Sequence, residues 1–328
     1  MPFSQQALQY VDAPLSLTSQ PTGSLRLLEM PWAKRIMVDA QRSRYVIGVD
    51  RSVMDTTRGS RSYARASGGA HPRIKRGTRT TISGMCVEHS PADDLDYGDR
   101  DRALDPFRPE VNSALRVKKI ALLERYVETA TLLTTAANWD ASATATLAGL
   151  GLGASGVQLS DASSLPYVDM EIAARRCAAI NDGERPHFMI MNETAAGYMA
   201  AKGARTSIAT DKDVRELTLP ELQVGLKNHI GCDVYIESAR EGGSLIWGAQ
   251  IVFGYYPTDV VPTEEGFDVA PSTFALIHEK IPSLGITGEL AIKRVENAEK
   301  TGLMIAAMTS YVAQKIDDKA IFLVTSAY

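Results

Sequence analysis

Between Pro109 and Gly149 the chain contains neither glycine nor proline, the longest such stretch in its 328 residues. A run this long without a breaker, opened by Asp105 with Pro106 or by Pro109 with Glu110, is set up for one continuous helix, and it is expected over residues 105–137. Leu115, Leu122, Tyr126 and Leu133 recur at helical spacing with Ile120, Leu123, Val127 and Ala130 beside them, so a broad apolar stripe should face a body. At about 1.5 Å per residue the rod would be roughly 45 Å long, enough to serve as a spine. The helices and strands expected after it show no regular βα alternation, so the expected class is α+β.

Charge is the second constraint. From Arg51 to Thr80 eight basic side chains (Arg51, Arg58, Arg61, Arg65, Arg73, Lys75, Arg76, Arg79) face one acid, Asp55. From Glu88 to Glu110 eight acids, among them Asp93, Asp94, Asp96, Asp99, Asp101 and Asp105, face three arginines. The formal net charge of −4 hides these two opposed blocks. The basic block sits in the Gly- and Ser-bearing middle of residues 45–87, whose ends, YVIGV and TTISGMCV, are β-prone. That pattern predicts a long hairpin with too few apolar residues at its centre to fold alone, so it should project and lie on something else. Two partners fit. Arginines with Tyr63 and His71 suit nucleic acid, but the adjoining acids would weaken the field of a monomer, whereas in an assembly the basic arm of one copy can lie on the acidic surface of the next.

Residues 1–44 show no sustained period and read as an extended arm, and 138–164, rich in Gly, Ala and Ser, as loop with short strands. A second unit follows: a helix over 168–182 stopped at Gly183, a covered strand at 187–191, a helix capped by Asn192 and ending near Gly203, and another from Pro220 to Gly231. Strands are expected at 232–237, 245–256, 272–277, 303–311 and 320–325.

Chemical motifs are sparse. GLGASG, 151–156, has the G-x-G-x-x-G spacing of dinucleotide loops, yet the VQLSDASSLPY that follows is a poor helix, so a plain loop is expected and an oxidoreductase is the weaker reading. There is no phosphate-binding P-loop signature, no HExxH and no G-x-S-x-G. His71, His89, His187, His229 and His278 show no metal-pair spacing and are expected in packing or at the surface. Cys86, Cys177 and Cys232, far apart, read as small buried apolar residues. No apolar run approaches the roughly 20 residues that span a bilayer, and the N-terminus lacks a signal-peptide pattern. Neither cofactor nor metal is expected, and no catalytic residue.

The order of features resembles the major capsid proteins of tailed double-stranded DNA bacteriophages. The pieces that carry the likeness are YVETATLLTTAANWD, then EIAARRCAAINDGERPHFMIMNETAAGYMAA, SLIWGAQIVFGYYP, EEGFDVAPSTFALI and YVAQKIDDKAIFLVTSAY, spanning nearly the whole chain. The resemblance implies an N-terminal arm (1–44), an extended loop (45–87), a peripheral domain (88–164 and 286–328) holding the spine helix, and an axial domain (165–285). It implies a structural protein, not an enzyme, that forms pentamers and hexamers of an icosahedral shell around packaged DNA without sequence-specific recognition. Assembly would take place in the host bacterial cytoplasm, with the product located in the virion. Its main partner would be itself, joined by portal, scaffold or decoration proteins; the 44 residues before the hairpin are short for a fused scaffold. Encapsulin compartments share that fold and stay an alternative. The expected inter-subunit contacts are Arg58, Arg61, Arg65, Arg73, Lys75, Arg76 and Arg79 on the arm, with Asp93, Asp94, Asp96, Asp99 and Asp101 as acceptors on a neighbour.

Overall fold

A computed structural model describes residues 10–11, 28–39, 44–50, 79–96, 109–151, 153–203, 216–258, 260–262, 266–282, 286, 288–297 and 302–328. The spine is present as helix α1, Pro109–Thr134, which stops short of the expected residue 137, while residues 105–108 lie outside the described residues. Its C-terminus is fixed by side chains beyond it: Asn138 Nδ2 donates to the Leu132 carbonyl at 2.9 Å and Trp139 Nε1 to that of Leu133 at 3.1 Å. These donors take carbonyls that the helix itself leaves unpaired, so the chain turns at Thr135 instead of running on to 137. The buried face is Ala114, Val117, Ala121, Leu122, Tyr126, Ala130 and Leu133. Ile120, expected beside that stripe, is 45% exposed on the outer side.

The helix packs on a seven-stranded sheet whose centre is the long strand Gly302–Lys315. That strand pairs antiparallel with Ala291–Asn297, Phe274–Lys280, Val87–His89 and Ala92–Asp96. Ala114, Val117 and Ala121 meet Ile292, Leu303, Ile305 and Ala307 across this contact. Arg35–Asp39 adds to the sheet in parallel with Phe274–Lys280. Residues 28–39 are therefore woven into the body and do not lie outside it as an arm would. Trp32 and Met30 are fully buried. Their apolar area supplies the reason, since burying one large side chain contributes about 1.5–3 kcal/mol.

A five-stranded sheet, in the order Thr144–Thr146, Ile321–Thr325, Ile251–Gly254, Phe188–Asn192 and Asp233–Glu237, forms the second layer. Three helices cover one face: α2 (Pro166–Ile180), α3 (Glu193–Lys202) and α4 (Leu219–Ile230). Met189, Met191, Ile251, Phe253, Phe322 and Val324 point to those helices, while Phe188, Ile190, Val252, Ile321 and Leu323 point to Trp32, Tyr126 and Trp247. With both faces covered, the strands read as unbroken apolar runs instead of alternating ones. Asn192 caps α3 by accepting from the Ala195 amide at 2.7 Å. Its Nδ2 also donates to the carbonyls of Trp247 and Gly248. Those carbonyls are thus withdrawn from any ladder, and the strand expected over 245–256 shrinks to 251–254.

The expected hairpin is present at its base. Arg44–Asp50 and Arg79–Met85 pair antiparallel over seven residue pairs, from Arg44 opposite Met85 to Asp50 opposite Arg79. They belong to a four-stranded sheet completed by Phe267–Val269 and Val261–Pro262. Gly84 is required there, because a Cβ would sit 2.2 Å from the Tyr45 hydroxyl oxygen. Residues 51–78 lie outside the described residues.

Candidate assembly surface

Three parts of the chain distant in sequence are locked together in the core. Glu237, 4% exposed, accepts from Trp32 Nε1 at 2.6 Å and from the Tyr126 hydroxyl at 2.7 Å, and Tyr126 in turn accepts from Trp247 Nε1 at 2.7 Å. Trp32 meets Trp247 edge-on, centroids 5.7 Å apart. Burial pushes the Glu237 carboxyl above its usual range, and the two donors pull it part of the way back. Arg125, 2% exposed, pairs with Glu289 at 3.0 Å, and Arg35 reaches the other oxygen of the same carboxylate at 2.9 Å. Beside them His278 is fully buried. Burial, then the charges of Arg125 and Arg35, holds it down at about 3, so it is neutral at any ordinary pH. A cleft of about 490 Å³ opens over Arg35, Arg125 and Glu289, which are already paired with one another. His278 is in packing, one of the two places expected for it, but Arg125, Glu237 and Glu289 were not singled out by sequence, because a charge destined for burial carries no local signal; only its partners, far away in the chain, reveal it.

The expected contact residues fall into three groups. Arg58, Arg61, Arg65, Arg73, Lys75, Arg76, Asp99 and Asp101 lie outside the described residues. Arg79 opens the outer hairpin strand, opposite Asp50. Asp93, Asp94 and Asp96 sit on the strand Ala92–Asp96, paired with Gly302–Lys315. Asp93 turns inward, accepting from Ser113 Oγ at 2.8 Å with Arg116 at 3.9 Å, and so helps to hold α1 on the sheet. Asp94 and Asp96 face outward. The hairpin base and the acidic strand are close in sequence, separated by the strand Val87–His89, but belong to different sheets.

The glycine-rich segment is a loop, as expected. It joins a 3₁₀ turn, Leu147–Leu150, to a helix that begins only at Pro166. The Ser155 amide and hydroxyl both donate to the buried Asp169 carboxylate at 2.6 Å. The donors that a phosphate would need are turned onto a residue of α2. All three cysteines are buried, and burial pushes each thiol up to about 12. Among the described residues, no three His, Cys, Asp or Glu side chains gather to hold a metal, and no helix is long and apolar enough to cross a membrane.

A spine helix on a long antiparallel strand, a second sheet under three helices and the paired base of a hairpin make up a fold that this chain shares with solved phage-related and capsid structures. The sequence matches no protein-family model and no curated protein. Solved structures do match. A phage-related protein from Bordetella bronchiseptica RB50 superposes with a TM-score of 0.64 at 16% identity over 97% of this chain and 98% of its own. The capsid of the native GTA particle gives 0.53 at 15% identity, over 93% and 90%. A virus-like particle from Pyrococcus furiosus gives 0.53 at 7% identity, over 94% and 97%.

Proposed function

We propose that this chain is the subunit of a closed protein shell, the major capsid protein of a tailed phage or of a particle derived from one. The observation that carries the reading is that the likeness to a phage-related protein and to a GTA capsid covers 97% and 93% of the chain. In this reading residues 45–87 are the extended loop, 88–164 and 286–328 the peripheral domain, and 165–285 the axial domain around which pentamers and hexamers form, with residues 28–39 part of the body and not of an arm. The arginine-rich loop of one subunit lies on acids of the next, Asp94 and Asp96 among them, as a head-to-tail contact that closes into rings. The shell encloses double-stranded DNA and reads no sequence. The subunit performs no bond chemistry, and portal, scaffold or decoration proteins are its further partners in the virion, assembled in the host cytoplasm.

The test is negative-stain electron microscopy of the purified protein across a range of salt, with a variant in which Arg58, Arg61, Arg65 and Arg73 are changed to Glu. Shells, rings or capsomer clusters are expected from the parent, and folded but unassembled subunits from the variant. Intact shells from the variant would remove the arm from the mechanism. A small oligomer that binds DNA in a salt-dependent way, and never assembles, would replace the shell by nucleic-acid binding. Shells enclosing protein cargo would point to a compartment of the encapsulin kind.

A further inference from the structure

Over its C-terminal half the spine helix leaves a strip of its surface uncovered. Ile120, Glu124, Glu128 and Thr131 are exposed along it, with Leu123 and Val127 half-buried between them. The strip continues onto the sheet. Glu124 Oε1 lies 3.0 Å from His89 Nδ1, and His89 stacks on Tyr311 with centroids 4.5 Å apart. Val87 is the cross-strand neighbour of Tyr311 and is 52% exposed. Glu128 stands beside the same ring: burial, and then the charge of Glu128, push the Tyr311 hydroxyl above the usual tyrosine range. Two exposed carboxylates thus share one patch with two exposed apolar side chains, Ile120 and Val87.

Like charges four residues apart on one helix face repel. Among the described residues no lysine or arginine pairs with either glutamate; the ion-pair partner of Glu124 is His89. Local rules are broken mostly where a surface has a further task. Carboxylates repel phosphate, so nucleic acid does not fit here. A guanidinium on an aliphatic stem does, because its planar head pairs with a carboxylate while the stem lies on apolar surface. The chain itself supplies that chemistry. From Arg51 to Thr80 it has seven arginines and one lysine against one acid, and no other segment of that length has such an excess. The seven pairs of the hairpin ladder, from Arg44 opposite Met85 to Asp50 opposite Arg79, carry this segment about 20 Å away from the root of the hairpin in its own chain. We propose that the patch is the docking site for residues 51–78 of a second copy, with guanidinium groups on Glu124 and Glu128 and their stems against Ile120 and Val87. This rests on the shell reading for the closed assembly in which the contact repeats, and it deepens that reading by naming acceptors on the spine helix.

Cysteine cross-linking between two populations of the full chain tests this, because the native cysteines are buried and Glu128 is exposed. Glu128→Cys is mixed in turn with Arg58→Cys, Arg61→Cys, Arg65→Cys and Arg73→Cys under mild oxidation. At least one mixture is expected to give a species of twice 35.5 kDa on a non-reducing gel, and no variant should do so alone. Adding Glu124→Arg to the Glu128→Cys partner should remove most of that species. In parallel, Glu124→Arg with Glu128→Arg should abolish shells while the subunit keeps its far-ultraviolet circular dichroism. Shells with no cross-link in any mixture, or shells from the charge-reversed variant, would overturn the docking and leave the shell reading standing. Cross-links without shells under any condition would keep the docking and sink the shell. Neither cross-links nor shells, in dilute or concentrated protein, would also overturn the docking.

Discussion

Glu237 holds the positions of Trp32 and Tyr126, and through Tyr126 that of Trp247. Glu237→Ala leaves two buried donors without an acceptor and opens a cavity, so a loss of about 2–4 kcal/mol of unfolding free energy is expected by urea titration. His278 sets a pH dependence. Its folded pKa of about 3 lies below the usual 6.5 because burial and two arginines oppose the charged form. Between those values the unfolded chain binds the extra proton, so stability is full above about 6.5 and falls as the pH drops toward 3. His278→Phe should flatten that slope, and an unchanged pH profile of thermal unfolding would refute the assignment. Residues of this kind were hidden from sequence reading for one physical reason: a polar side chain in the core is defined by what it meets. Gly84 was equally invisible, since the Tyr45 hydroxyl it must admit lies 39 positions earlier.

Elements were far more legible, because their signals are local. Helix α4 starts at a capping box in which Thr218 Oγ1 accepts from the Glu221 amide while Glu221 accepts from the Thr218 amide, and it stops at Gly231 in a left-handed conformation with φ of 82°. Thr218→Ala should cost about 1 kcal/mol, measured as a lowered urea midpoint without a change of slope. The mistakes at this scale arose where tertiary hydrogen bonds overrule local pattern. Asn138 and Trp139 end α1 early, and Asn192 interrupts the strand before Ile251. The segment 28–39 failed as an arm for a related reason. Its strand Arg35–Asp39 is short, and its pairing partner, Phe274–Lys280, lies some 240 residues further along the chain.

At the scale of the whole molecule the fold was readable as an order of features, even though no single piece was decisive. The candidate contact surface was readable only in part. Charge blocks announce that a surface seeks a partner, but which acids face outward depends on strand register, and that register turned Asp93 onto Ser113 while leaving Asp94 exposed. A rigid body carrying a charged hairpin should assemble and dissociate as salt changes while its interior stays as it is. The tryptophans make this separable in the laboratory. Trp32, Trp139 and Trp247, all that the chain has, sit in one buried cluster. Their emission should stay blue and resist iodide quenching through every step of association, and turn red only when the body itself opens. The protein therefore carries an internal optical gauge that is blind to its neighbours: light scattering would follow the gathering of copies, fluorescence the integrity of each one, and the two signals should move independently.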